Sequence, residues 1–196
     1  YRNFKFENQE DINKNLDKNC YLFIVGMPRC GSTLLESILS LNSEVTDLGE
    51  VFFLEESLKE TEDLKKINDT YSKKILNINS FNNIFTDKNL FNFLYCPIIY
   101  RFFPNSRIIH CTRNPLDNVL SIYRTNFINQ SFSSSLNDIA KLYKYHMELM
   151  DEYKTQFNSI IYSYDHDQVV QNPEDSIRKL IDWLNWEWDE KYLSPQ

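Results

Sequence analysis

Residues 21–33, Tyr-Leu-Phe-Ile-Val-Gly-Met-Pro-Arg-Cys-Gly-Ser-Thr, join an apolar run to a glycine loop, and Leu34, Leu35, Ile38 and Leu39 follow at helical spacing. The pattern predicts a buried strand over 21–25, a tight turn, and a helix over 32–41. A helix N-terminus entered from such a turn offers several backbone N–H groups and the positive end of a dipole to one anion. Gly26 and Gly31 enclose four residues, and Ser32-Thr33 opens the helix, which is the outline of a phosphate-binding P-loop. The lysine that a nucleotide triphosphatase carries just before its Ser/Thr is replaced by Ser32, and a cation lies instead inside the loop, as Arg29. The loop suits an anion other than ATP with magnesium.

Outward from this stretch, apolar strands alternate with amphipathic helices. Ser106–Thr112 reads as a second buried strand. Asn114 then reads as an N-cap, Pro115 as the first helical residue, and Leu116, Val119, Leu120, Tyr123 and Phe127 as the apolar face of that helix. Residues 51–85 read as irregularly helical and 89–103 as an aromatic helix that Pro97 kinks or breaks. A polar loop covers 129–135. A helix over 138–153 carries Ile139, Leu142, His146, Leu149, Met150 and Tyr153 on one stripe, followed by a strand over 159–164. Asn172 reads as the cap of a last helix, with Pro173 at its first position. The alternation predicts an α/β fold of three layers, α/β/α, with a central parallel sheet. Ligands of such sheets bind at the carboxyl ends of the strands, where the 26–33 loop and the 112–115 turn both lie.

Composition narrows the functional classes. With 196 residues, 42% of them hydrophobic, the chain can bury one sizeable core. It starts at Tyr1, so residues 1–20, rich in Asn, Lys and Asp, read as a linker or the remnant of an upstream segment, with the domain proper over 21–196. No apolar run approaches the roughly 20 residues of a membrane span, and no signal-peptide pattern is present. The four cysteines show no metal-type spacing and read as reduced thiols of a cytoplasmic protein. Cys30, without a histidine motif to activate it, reads as a small loop filler. A formal net charge of −7 argues against a nucleic-acid platform. That charge is uneven: nine acids against three lysines from Glu44 to Asp69, then four arginines against Asp117 alone from Arg101 to Arg124. Arginine concentrated in an acidic protein points to a small polyanion. Arg113 with Ser121, flanking a helix start, supplies a second place to grip one.

At these residues the chain resembles a known family. GMPRCGSTLLESIL resembles the 5′-phosphosulfate loop of sulfotransferases, and RIIHCTRNPLDNVLSIY their 3′-phosphate site. TDKNLFNFLY and YDHDQVVQNPEDSIRKLIDWLNWEWD resemble further blocks of one branch: the bacterial sulfotransferase domains often joined to tetratricopeptide repeats and related to tyrosylprotein sulfotransferases. The likeness runs over residues 20–192. It implies a donor, 3′-phosphoadenosine 5′-phosphosulfate (PAPS), and a product, 3′-phosphoadenosine 5′-phosphate (PAP). It also implies a domain cut short at its C-terminal end, since a further stretch is expected after Pro195.

On this resemblance Arg29, Cys30, Gly31, Ser32 and Thr33 form the cradle for the phosphosulfate, and Arg113 and Ser121 hold the 3′-phosphate. Lys88 touches the transferring group, Glu50 is the general base, and Tyr164 contacts the cofactor, although YDHDQVV is longer than the family's YEDLV. His110, inside its strand, is the reserve base, His146 reads as packing and His166 as loop. Trp183, Trp186 and Trp188 read as packing for the last helix. No metal is implied. The expected reaction is in-line sulfuryl transfer to a hydroxyl or amine on a small-molecule, glycan or peptide acceptor, and a homo-oligomer is compatible with it. The competing readings are a P-loop kinase or NTPase, which Ser32 disfavours, and a non-catalytic nucleotide-binding module.

Overall fold

The computed structural model describes residues 19–78, 82–125, 127 and 131–195. Most of the expected N-terminal linker thus lies outside the described residues. Strand β1 (Cys20–Gly26) is buried from Tyr21 onward and turns Tyr21, Phe23 and Val25 to one face and Leu22 and Ile24 to the other. Such a run needs cover on both sides, and β1 lies at the centre of a five-stranded parallel sheet in the order β2-β3-β1-β4-β5. The other strands are β2 (Val45–Asp47), β3 (Ile84–Asp87), β4 (Ser106–Thr112) and β5 (Ile161–Asp165). The register sets Gly26 beside Cys111, so the loop after β1 and the turn after β4 emerge side by side.

On the Leu22/Ile24 face pack α1 (Ser32–Leu39), α7 (His166–Gln171) and α8 (Pro173–Leu184), through Leu35, Ile38, Val169, Ile177, Leu180 and Ile181. The opposite face is covered by α2 (Phe53–Glu60), α3 (Ile67–Leu76), α4 (Cys96–Phe102) and α6 (Leu136–Phe157). Tyr21, Phe23, Tyr71 and Phe103 meet there, with Tyr71 edge-on to Tyr21 at 5.2 Å and to Phe103 at 5.3 Å. This is the expected three-layer arrangement.

Several local expectations need correction. The stretch read as helical over 51–85 ends in β3. Four residues are too few to show alternation, and the buried polar pair Thr86 and Asp87 masks the apolar signal. Pro97 kinks nothing: a 3₁₀ turn over 90–95 precedes it and α4 begins at Cys96, so the proline sits in the first turn. Asn114 does cap α5 (Pro115–Thr125), its Oδ1 accepting from the N–H groups of Leu116 and Asp117 at 3.0 and 3.3 Å. Yet Leu116 (74% exposed), Leu120 and Tyr123 face solvent, and the helix buries Asn118 and Ile122. Asn172 makes no side-chain cap. Asp165 caps α7 instead, accepting from the N–H groups of Asp167 and Gln168. The tryptophans pack as expected: Trp183 against Tyr162 and under Arg107, Trp188 under Arg178. Among the described residues no helix is long and apolar enough to cross a membrane, and no group of three or more His, Cys, Asp or Glu could hold a metal.

Between β4 and α6, His110 Nε2 and His146 Nε2 lie 3.0 Å apart in full burial. Burial holds both imidazoles neutral, His146 at about 4 and His110 well below its usual 6.5. The unfolded chain protonates near 6.5, so the stability these neutral rings contribute is present above that pH and is lost as pH falls toward 4. Across that window His146 alone accounts for at most about 3 kcal/mol. Asp87 works in the opposite sense: burial raises its carboxyl to about 7, so its contribution is present below about 4 and fades as pH rises through 7. Chemical denaturation at pH 4.5, 6 and 7.5 should show His146→Leu flattening the acid-side loss of stability and Asp87→Asn flattening the loss on the neutral side.

Candidate active site

The loop after β1 must reverse the chain between Gly26 and Ser32. Gly26 is pressed against β4, where a Cβ would stand 2.5 Å from the Cys111 carbonyl oxygen. Two residues then take the left-handed conformation, Arg29 at φ 68° and Gly31 at φ 93°. For an arginine this costs on the order of 1 kcal/mol. The conformation goes with a guanidinium whose Nε donates to Ser121 Oγ at 3.2 Å. Behind the loop the buried Asn118 amide donates to the Pro28 carbonyl at 2.9 Å and ties the turn to α5. Gly31 caps α1 without any side-chain acceptor, so the first N–H groups of the helix remain available to a ligand.

Two adjoining cavities open over this loop. The larger, about 430 Å³, has a polar end made by Arg29, Gly31, Ser32, Thr33, Arg113 and His166. Its remaining wall is Pro28, Glu50, Phe52, Asn89, Leu90, Phe91 and Phe127. The smaller, about 350 Å³, is lined by Arg29, Arg113 and Arg124 with Asp117, Leu120, Ser121 and Thr125. Arg29 and Arg113 border both. Among the described residues no carboxylate lies within ion-pair distance of these three guanidiniums. Arg113 Nε is moreover buried with no hydrogen-bond partner there. Arg113 itself is held by its backbone: its carbonyl accepts from the Tyr143 hydroxyl at 3.2 Å, and the next N–H, of Asn114, donates to Asp167 at 2.6 Å. Uncompensated, fixed guanidiniums with an orphan donor make a site for a polyanion.

Seven of the expected residues therefore come together: Arg29, Gly31, Ser32, Thr33, Glu50, Arg113 and Ser121. Three do not. The Cys30 thiol turns inward over Gly26, beside Cys111, whose thiol donates to the Cys30 carbonyl at 3.1 Å. Hydrogen bonding from Cys111 pulls the Cys30 thiol below its usual range, and burial pushes Cys111 up. Tyr164 is 2% exposed in the core beneath α1 and α8 and borders neither cavity. Lys88 borders neither cavity and lies in a buried ion pair with Glu36. The reserve base His110 is sealed in its pair with His146 and borders neither of these cavities.

His166, read from sequence as loop, is the first residue of α7 and lines the larger cavity. Burial and the Arg113 cation keep its imidazole below the usual range, and its Nδ1 has no hydrogen-bond partner among the described residues. Its position after the Asp165 cap was the available signal. Arg124 was visible only as part of the arginine-rich stretch.

The chain matches the model of the sulfotransferase family over residues 22–73 and 62–190. It belongs to the sulfotransferase family. An uncharacterized protein of Aquifex aeolicus is 29% identical over 199 residues, covering 88% of this chain. The chain spans about a quarter (26%) of that relative's length. The sulfotransferase domain from the curacin biosynthetic pathway superposes with a TM-score of 0.67 at 19% identity, covering 90% of this chain and 77% of its own. Mouse sulfotransferase SULT7A1, solved in complex with PAP, superposes at 0.59 with 15% identity over 90% of this chain and 62% of that one. These two likenesses concern the fold.

The sulfotransferase loop has one steric test. A Cβ on Gly31 would stand 2.2 Å from His166 Nδ1, and its φ disfavours any side chain. Gly31→Ala should lower stability by about 1–3 kcal/mol. His166→Ala in the same chain should recover only the steric part, read as a partial return of the melting temperature.

Proposed function

We propose that this chain transfers a sulfuryl group from PAPS to a hydroxyl or amine acceptor. The observation that carries the reading is the placement of Arg29 and Arg113, each bordering both cavities, with an orphan guanidinium donor and an uncapped helix N-terminus between them. One ligand with anionic groups at two ends suits that arrangement. A nucleotide triphosphate with magnesium suits it less, because Ser32 stands where the P-loop lysine belongs.

The residues present fit the donor. Ser32, Thr33, Arg29 and the first N–H groups of α1 would hold its 5′ end, and Arg113, Ser121 and Arg124 its 3′-phosphate. Bound there, the donor supplies an SO₃ group on a phosphate leaving group. Arg29 and the loop N–H groups meet negative charge as it grows on the leaving side, without needing to reorganise. Glu50, exposed in the same cavity, would take the proton of an acceptor hydroxyl. Phe52, Phe91 and Phe127 give the acceptor's body an apolar wall. The carboxylates of α2 are engaged elsewhere, Glu55 with Lys59 and both Glu56 and Glu60 with Lys74, and so do not crowd the cavity with negative charge.

Calorimetry in magnesium-free buffer tests the reading. The folded protein should bind PAP, and Arg113→Ala should weaken that binding at least tenfold, the scale of a lost charged hydrogen bond. Glu50→Gln should leave PAP affinity unchanged while slowing transfer by about 10²-fold or more. No PAP binding by folded protein would refute the proposal.

A further inference from the structure

Lys88 was expected at the transferring group, yet its ammonium is already engaged. Lys88 Nζ lies 2.8 Å from Glu36 Oε2, with the two side chains 11% and 9% exposed. The other oxygen, Glu36 Oε1, accepts the Thr86 hydroxyl at 3.0 Å, also in burial. Glu36 stands one helical turn beyond Ser32 on α1, so it shares the face of the residue that opens the phosphate loop. Lys88 follows β3 directly, and its backbone N–H donates to the Gly49 carbonyl at 2.9 Å. Its neighbours Asn89 and Leu90, and Glu50 beside Gly49, all line the larger cavity. The ion pair thus links three walls of the site: the helix of the phosphate loop, the segment bearing Glu50 and the turn after β3.

Stability alone does not explain this pair. Desolvating two charges costs about as much as their attraction returns, and well-packed apolar residues often do as well. The setting also leaves the ammonium unfinished. It has three N–H donors, and Glu36 is its one partner among the described residues. Asp87, next in the chain, is spent on other groups: its carboxylate accepts from Tyr71 Oη at 2.8 Å and from the Asn89 N–H and Asn92 amide at 3.0 Å each. Lys88 itself lines neither cavity, but it is gripped on one side only, has donors to spare, and the two residues that follow it form part of the larger cavity's wall.

We propose that Glu36 is a positioning residue for sulfuryl transfer, fixing the Lys88 ammonium beside the phosphate loop so that it is shared between Glu36 and the sulfuryl oxygens of a bound donor. This rests on the reading of the cavities as a PAPS site. Lys88 distinguishes PAPS from PAP, because only PAPS carries the sulfuryl group, and Glu36 acts solely through Lys88.

The test is calorimetric titration of PAPS and PAP into wild type, Glu36→Gln, Lys88→Met and the double variant, with melting scans to establish folding. Lys88→Met and Glu36→Gln should each weaken PAPS at least tenfold while changing PAP less than threefold. The double variant should lose no more PAPS affinity than Lys88→Met alone. It should also melt above Glu36→Gln, which leaves a buried charge unpaired. Should Glu36→Gln fail to fold, Glu36→Asp takes its place, keeping the charge but shortening the reach, with an intermediate loss of PAPS affinity. The inference is overturned if Glu36 variants leave the PAPS-to-PAP ratio at its wild-type value, if they weaken both nucleotides equally, or if Lys88→Met leaves PAPS binding unchanged. A wild-type protein that binds neither nucleotide would instead overturn the donor reading beneath it.

Discussion

A chain that leaves the middle strand of a parallel sheet and enters a helix at once has five residues, 27–31, in which to turn. It must do so with its N–H groups facing outward. That constraint organises the molecule. Two left-handed residues make the turn, and one of them is Arg29, where a glycine would have been conformationally cheaper. The turn is then clamped from three directions: Asn118 on the Pro28 carbonyl, Ser121 on the Arg29 guanidinium, and His166 against Gly31. Helix α5 and the start of α7 owe their placement to these contacts as much as to apolar packing.

The same clamps explain where sequence reading worked and where it failed. Strand β1 was legible from its apolar run over 21–25 ahead of the glycine loop, and β4 from the Ile108-Ile109 centre of its segment ahead of the Asn114-Pro115 helix start. The helix over 138–153 was legible because its stripe is long and regular. The face of α5 was misread because periodicity sees only apolar residues, while what docks that helix is the polar Asn118 with Ile122. Leu116, Leu120 and Tyr123 are spaced as a helix face should be and still lie in solvent. Strands β2 and β3 were illegible for a different reason. Three or four residues carry no measurable period, and β3 spends two of them on Thr86 and Asp87.

For the site, the loop spacing and the Arg–Ser pair named six residues that do line the two cavities, because their positions are set by backbone that the motif itself builds. Glu50, Lys88 and Tyr164 depended on resemblance alone, and of these Glu50 lines a cavity. Tyr164 lies on β5 with its ring in the core, and the residue that reaches the cavity is His166, two positions on, past the strand end and the Asp165 cap. A strand end and a helix start point side chains in different directions. An uncertainty of two residues there decides between core and cavity.

The cations of the site divide by chemistry. Arg29, Arg113 and Arg124 border the cavities with no carboxylate partner among the described residues, and a planar guanidinium is only weakly hydrated. Burying an ammonium is costly unless a negative group stands beside it. Lys88 has such a group in Glu36, supplied from the helix that the phosphate loop begins. The guanidiniums can therefore stand open to the ligand, while the ammonium is carried on an internal counter-ion. Placing that counter-ion on α1 couples the lysine to the loop geometry, so a shift of the helix moves the N–H cradle and the ammonium together. The Arg29 turn and the Glu36 bridge then act on one rigid element, one at its first residue and the other a turn further in.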